Sequence, residues 1–246
     1  MESMGRPRFS VIIPVYQEEE RIAALLAHVA GLTAQPGALG AVEVLVVDGD
    51  PERRTLRVMS EGAAILLASI IPLASGKGRA RQMNLGAAQA RGEVLLFLHA
   101  DTRLPRDIFA HINAALAEPN ICGGAFRLRI VPESGPPRLG LRFIAWAANL
   151  RSKFFRAPYG DQAIFLRREV FESLDGFPDI PLMEDLELMT RIRRSGRRIR
   201  LLDACASTTA RRWESEGLWR CTGRNLLLRA LYHLGVGAQR LAGFYK

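Results

Sequence analysis

The order of apolar runs predicts an α/β fold, a three-layer sandwich with a mostly parallel central sheet and a mixed C-terminal half. Three observations carry that expectation. Strand-like and helix-like segments alternate through the first hundred or so residues. The strand-like runs FSVIIP, VEVLVV and VLLFL are continuously apolar, as strands covered on both faces require. Beyond residue 120 the pattern turns to weak alternation, a turn-rich break and helices of mixed polarity. With 246 residues, 48% of them hydrophobic, the chain can bury a sizeable core as one domain spanning 1–246. Within it we expect a first half at about 9–104, a second at about 105–215 and a helical tail at about 216–246.

Each element has its own justification. Phe9 to Pro14 is short, apolar and β-branched, hence a buried strand. Glu18 to Leu32 places Ile22, Leu25, Leu26 and Val29 on one helical face. Val42 to Val47 is a second strand, Arg53 to Glu61 a helix and Ala63 to Ala68 a third strand. Gly78 to Arg91 is helical, with Ala80, Met83, Leu85 and Ala87 among its apolar positions. Val94 to Leu98 is a fourth strand. Pro105 opens a helix to Ala117, the position where a missing N–H costs nothing. Gly123 to Val131 reads as an edge or antiparallel strand, followed by the break PESGPP. Leu139 to Phe155 is an apolar helix, Ala163 to Leu166 a short strand and Arg168 to Leu174 a short helix. Glu184 to Ser195 is a polar-faced helix stopped at Gly196, Arg198 to Leu202 a last strand, and Leu218 to Leu234 a helix mixing Leu with Arg.

Composition excludes several classes. The longest apolar stretch, 63–74, is too short to span a bilayer as a helix, and the first sixteen residues read as no secretory signal. The cysteines, Cys122, Cys205 and Cys221, are odd in number and form no Cys-x-x-Cys pair. That argues against a disulfide framework or structural zinc and fits a reducing cytoplasm. The net charge is +9, and it is unevenly placed: residues 1–185 hold 21 basic and 21 acidic side chains, residues 186–246 hold 13 and 4. Such an excess points to an anionic partner or to a solvated Arg-rich face. No helix-turn-helix, zinc finger or RNA-binding aromatic signature accompanies it, so nucleic acid is not expected as a partner.

In open α/β sheets ligands bind beyond the carboxyl ends of the strands. Those ends here carry Pro14-Val15-Tyr16-Gln17-Glu18, Asp48-Gly49-Asp50, Ser75-Gly76-Lys77-Gly78-Arg79 and His99-Ala100-Asp101-Thr102. Asp48 suits either a helix cap or an acceptor for a nucleobase or ribose. The SGKGR loop is not a P-loop, since Ile71 and Gly78 stand where Gly and Ser or Thr are needed. It still offers Lys77, Arg79 and backbone N–H groups to an anion. Asp101, at the end of a buried strand, suits a divalent cation held against a diphosphate, and His99 two residues earlier suits a ribose contact ahead of a second ligand or a packed side chain. Glu184 and Asp185 are adjacent acids at a helix start, either dipole partners or a general base.

The ordered segments PVYQEEE, VVDGD, GKGRARQMNLGAAQARGEVLLFLHADT and YGDQAIFLRREVFESLDGFPDIPLMEDLELMTRIRRSGRRI strongly resemble family 2 glycosyltransferases of the GT-A fold, from about Phe9 to about Leu202. The HADT and MEDLEL forms look most like a small bacterial branch found with radical-enzyme and selenium-linked genes. The resemblance implies an inverting, metal-dependent transfer from a nucleotide-diphosphate sugar, with Mn²⁺ or Mg²⁺ as cofactor. It implies that Pro14, Tyr16 and Glu18 flank the donor, that Asp48 reads the base and that Lys77, Arg79 and Asn84 contact the donor. Asp101 matches the last acid of the family's D-x-D metal motif, and His99 stands in place of the first. Gly123 and Gly124 match the segment near donor sugar and acceptor. Asp185, with Glu184 before it, matches the catalytic base. Arg211-Arg212-Trp213 resembles a basic–Trp motif that some members place near the diphosphate or acceptor.

Two rivals share the strand-end chemistry. A sugar nucleotidyltransferase would carry a Gly-rich, Arg-containing loop after strand one, where PVYQEEE stands. A nucleotide-sugar-binding pseudoenzyme is suggested by His99 and opposed by Asp101 and Asp185. Relatives often use lipid-linked acceptors. Leu226 to Phe244 is then either an amphipathic segment lying on the inner face of a membrane or a terminal helix packed on the domain, interrupted by Gly235 and Gly237.

Overall fold

The computed structural model describes residues 7–35, 41–62, 70–136 and 138–244. One eight-stranded sheet runs through it in the order β3-β2-β1-β4-β7-β6-β8-β5. The strands are β1 (Phe9–Val15), β2 (Val42–Asp48), β3 (Ile70–Ala74), β4 (Val94–Phe97), β5 (Thr102–Arg103), β6 (Ile121–Val131), β7 (Phe165–Arg167) and β8 (Arg198–Thr209). The first four pair in parallel, so their carboxyl ends share one edge. β7 runs antiparallel to both β4 and β6, while β6 and β8 are parallel.

Alternation along the strands sorts side chains to two faces. Phe9, Val11, Ile13 and Val15 of β1 pack with α1 (Ile22–Thr33) and α4 (Ile108–Leu116). Ile12 points the other way. It joins Leu45 and Val47 against α3 (Arg79–Gln89), α6 (Arg168–Ser173) and α7 (Glu184–Arg194). The three layers follow directly. A third cluster, Leu128, Ile130, Leu141, Ala145 and Ala210, seats α5 (Leu139–Phe155) on the far end of β6. The remaining helices are α2 (Arg54–Gly62), α8 (Arg211–Glu216), α9 (Leu218–His233) and α10 (Ala238–Gly243).

Several expectations are corrected. The first helix starts at Ile22, not Glu18, because Gln17 adopts a positive φ of 56° and the Glu18 carbonyl closes a turn onto Arg21 and Ile22. The strand predicted at 63–68 lies outside the described residues. β3 follows it, and Pro72 is tolerated because β3 is the sheet's edge. β6 is antiparallel to β7 but is no edge, since β8 covers its other side. β8 runs seven residues past the predicted end. Leu202 pairs with Phe126 and Cys205 with Arg127, so Asp203 and Ala204 form a bulge and the ladder resumes. Gly124 lies inside this sheet. A Cβ there would strike the Arg200 carbonyl and the Phe165 ring. Strand packing alone therefore requires glycine there. The tail divides into α9 and α10 at a turn through Gly235, and Leu228 and Leu241 are buried, so 226–244 forms no continuous amphipathic helix. Among the described residues no helix is long and apolar enough to cross a membrane.

Candidate active site

The shared carboxyl edge of β1 to β4 carries the first group of predicted residues. Tyr16 leaves β1 half-buried, and the Lys77 ammonium sits 4.4 Å from its ring centroid and 3.3 Å from its hydroxyl. Pro14 and Asp48 lie beneath that surface, both buried. Both Asp48 oxygens are engaged. One accepts from the Asp50 N–H at 2.9 Å and the other from the Leu56 N–H at 3.3 Å, and burial pushes the carboxyl up. Asp48 therefore serves the 48–56 loop, the capping use that its sequence position also allowed. Gln82, fully buried on α3, donates to the Val15 and Val47 carbonyls at 2.6 and 2.8 Å and ties the ends of β1 and β2 together. Glu18 accepts from Arg21, while its own N–H donates to the Thr55 hydroxyl. Asn84 is a clamp. Its amide donates to the Phe177 carbonyl at 2.7 Å and accepts from the Phe177 N–H at 3.0 Å.

Beyond β4 the edge opens into a cavity of about 600 Å³. The end of β4, a short 3-10 turn at Gly160–Gln162, the starts of α3 and α7, helix α8 and one side each of α5 and α9 all contribute to its lining. Asp185, on the first turn of α7, accepts from the Gly160 N–H at 2.8 Å through Oδ2 and from the Leu186 N–H at 2.7 Å through Oδ1. His99 packs on the same glycine. A Cβ at residue 160 would lie 2.6 Å from its Cε1 and Nε2. Burial, then the positive charge of Arg79, pushes the His99 imidazole down to about 4, so it is neutral near pH 7. Glycine at 160 thus lets the β4 end, the 3-10 turn and the start of α7 come together.

Glu184 is 4% exposed, and the Arg79 guanidinium stands 3.5 Å from its Oε1. Burial raises the Glu184 carboxyl, while Arg79 opposes that rise and Asp185 adds to it. Arg211 and Arg212 also line the cavity, and burial and the neighbouring Arg79 lower the Arg212 guanidinium. The cavity therefore presents acids on one side and guanidinium groups around them.

The sequence reading missed Asp161. Its Oδ1 is buried without a hydrogen-bond partner, and burial pushes the carboxyl up to about 6, with Asp185 and Asp101 adding to the rise and Arg151 opposing it. Arg151 itself stacks 3.6 Å over the Tyr159 ring, whose hydroxyl accepts from Arg229 at 3.2 Å. Asp161 stands in the quoted YGDQ segment, just before a strand, but no spacing rule marks it.

A divalent cation fits this donor set. Asp101 lines the cavity with the Thr102 hydroxyl 3.4 Å from its Oδ1, and the Asp161 Oδ1, without a hydrogen-bond partner among the described residues, lies on the same cavity. Among the described residues no cluster of three or more His, Cys, Asp or Glu could hold a metal by itself. A cation that takes most of its ligands from phosphate and water does not need one.

The structure thus brings Arg79, His99, Asp101, Glu184, Asp185, Arg211 and Arg212 to one cavity. Tyr16 and Lys77 stand along the strand-end edge outside it. Pro14, Asp48, Asn84 and Gly124 do not line it.

Residues 10–175 match the sequence profile of Glycosyl transferase family 2. The Bacillus subtilis (strain 168) protein described as "Probable glycosyltransferase YdaM" is 27% identical over 255 residues, covering 98% of this chain and 58% of that protein. The mannosyltransferase PcManGT from Pyrobaculum calidifontis, solved with GDP-Man and Mn²⁺, superposes with a TM-score of 0.60 at 24% identity, over 82% of this chain and 56% of that one. S. aureus TarS 1-349 in complex with UDP-GlcNAc gives 0.57 at 21% identity, over 82% and 58%. The chain therefore spans less than two-thirds of each of these proteins, and the structural likeness establishes a shared GT-A fold.

Proposed function

The chain belongs to glycosyl transferase family 2, and from that premise we propose that it transfers a sugar from a nucleotide-diphosphate sugar to an acceptor hydroxyl in one inverting displacement. One observation carries the reading: Asp185 lines the same cavity as Asp101 and Arg79, with its carboxylate fixed by the Gly160 N–H. The HADT and MEDLEL segments support membership of the small bacterial branch named above. The nucleotide sugars bound to the S. aureus and Pyrobaculum proteins support the donor class, and the Mn²⁺ of the latter supports the cation.

The donor lies along the strand-end edge, its nucleoside against Tyr16 and Lys77 and its diphosphate toward Arg79. Asp101 would hold Mn²⁺ or Mg²⁺ there, which when bound neutralises diphosphate charge. Asp185 takes the proton from the acceptor hydroxyl as its oxygen attacks the anomeric carbon and the bond to the diphosphate breaks. Arg79, Arg211 and Arg212 stabilise the charge that develops on the departing diphosphate. Glu184 holds Arg79 in place. Single-step inversion needs one base and no covalent intermediate. The unpaired thiols of Cys122, Cys205 and Cys221 support a reducing, cytoplasmic setting.

The test is a thermal-shift screen of UDP-, GDP- and CDP-sugars with and without Mn²⁺. We expect metal-dependent stabilisation by one donor, lost in Asp101→Ala. Asp185→Asn should keep donor binding and slow transfer by about 10²- to 10⁴-fold, the range for a missing general base. Failure of every nucleotide to stabilise the wild type refutes the reading.

A further inference from the structure

Helix α5 carries an apolar stripe that no other described residue covers. Leu139, Phe143, Trp146, Leu150 and Phe154 are 79%, 58%, 55%, 41% and 68% exposed. At 100° per residue they fall within one narrow sector of the helix, opposite the buried Leu141, Ala145 and Ser152. Exposed apolar surface of this extent on one element marks a contact site. The same helix is purely basic. From Arg138 to Arg156 there are four Arg and one Lys and no acid. Arg138, Arg142, Lys153 and Arg156 are exposed, and none forms an ion pair with a carboxylate among the described residues.

The stripe is continuous with the cavity. Phe143 belongs to both, and Trp219 and Leu226 of α9, 72% and 52% exposed, line the same cavity. The lining that holds Asp185 and the arginines thus also includes exposed aromatic and aliphatic side chains.

We propose that the exposed face of α5 docks this protein on an anionic lipid bilayer, with the cavity mouth turned to the lipid. A flat-lying helix with aromatic residues on one side and cations flanking them is the chemistry that binds a charged membrane surface. Charge complementarity selects this occupant over a second copy of the chain. A two-fold contact through α5 would set one basic helix against another. The docking surface does not depend on the catalytic reading. The consequence that an acceptor anchored in the bilayer reaches Asp185 does rest on it.

The experiment is co-flotation of the full chain with vesicles of phosphatidylglycerol and phosphatidylcholine, or of phosphatidylcholine alone, with UDP- and GDP-sugar binding and light scattering measured on the same samples. We expect flotation with the anionic vesicles that weakens with salt. Trp146→Ser combined with Phe154→Ser should lower partitioning at least tenfold. Arg142→Glu combined with Lys153→Glu should do the same, since each charge near the surface changes partitioning about fivefold. Both variants should keep the wild-type thermal midpoint. The proposal is overturned if the wild type stays out of both vesicle types, or if either variant floats as the wild type does. It is equally overturned if light scattering shows a dimer that the Trp146→Ser, Phe154→Ser variant dissolves. A wild type that floats but binds no nucleotide upholds the surface and refutes the catalytic reading.

Discussion

Gln162→Ala should weaken the fold more than any other single polar substitution near the cavity. The residue is fully buried in the 3-10 turn. Its Oε1 accepts from the Ser152 hydroxyl at 2.7 Å, the Tyr159 N–H at 3.2 Å and Arg151 at 3.4 Å. Its Nε2 donates to the Phe126 carbonyl at 3.0 Å, beside the register shift of β6 on β8. Truncation leaves the Tyr159 N–H and the Phe126 carbonyl buried without this partner, at about 1–3 kcal/mol each. Ser152 keeps its bond to the Ala148 carbonyl and adds little. The expected loss is therefore about 4 kcal/mol, read from urea unfolding followed by tryptophan fluorescence. The same turn supplies the Gly160 N–H to Asp185, so kcat should also fall about tenfold or more while donor affinity stays within a few-fold. A loss below about 1 kcal/mol at unchanged m would show that β6 and α5 hold this turn without Gln162, and the reasoning would be wrong.

Three further outcomes follow from single contacts. Gly160→Ala should lower kcat at least tenfold with donor binding retained, because the new Cβ drives His99 and the Asp185 contact apart; unchanged kcat sinks that geometry. Asn84→Ala should cost about 2 kcal/mol, one for each lost bond to Phe177, and leave donor affinity within twofold by calorimetry. A tenfold affinity loss without destabilisation would instead make Asn84 a donor contact. The third concerns His28, whose Nε2 accepts from the Leu104 N–H at 3.0 Å. Burial, then the charge of Arg103, pushes this imidazole down to about 4. The unfolded chain binds the proton first, so stability is full above about pH 6.5 and falls as pH drops toward 4. The limit is about 3 kcal/mol, roughly half that after solvent screening of a partly exposed ring. His28→Gln should flatten that slope in thermal melts between pH 4 and 7.

What was readable in the sequence is what is local. The four parallel-strand ends announce themselves because a charged residue after a continuous apolar run has few structural reasons to be there. Tyr16, Lys77, Arg79 and Asp101 all stand where that rule put them. The same rule cannot tell a ligand contact from a loop clamp. Asp48 and Asp101 look alike in sequence, yet the first is closed over by the Asp50 and Leu56 N–H groups while the second opens on the cavity. Asn84 is decided by Phe177, 93 residues away, and no periodicity carries such a pairing. Asp161 was invisible for the opposite reason. It follows no strand and matches no spacing, and only the folded 3-10 turn places its unpartnered oxygen beside Asp101 and Asp185.

The charge excess shows the same division. Its C-terminal bias was plain, and part of it, Arg211 and Arg212, does line the cavity. Another basic surface lies elsewhere, on α5, inside residues 1–185, whose net charge is balanced. Net charge by segment averages over Glu and Asp that the fold spends on other elements, such as Glu43 on the Gly92 N–H and Glu118 on Arg200. The unit that a partner meets is one helix face. Read that way, a helix of 17 residues with no acid and five exposed apolar side chains in one sector is a stronger signal than an excess of nine spread over the last quarter of the chain.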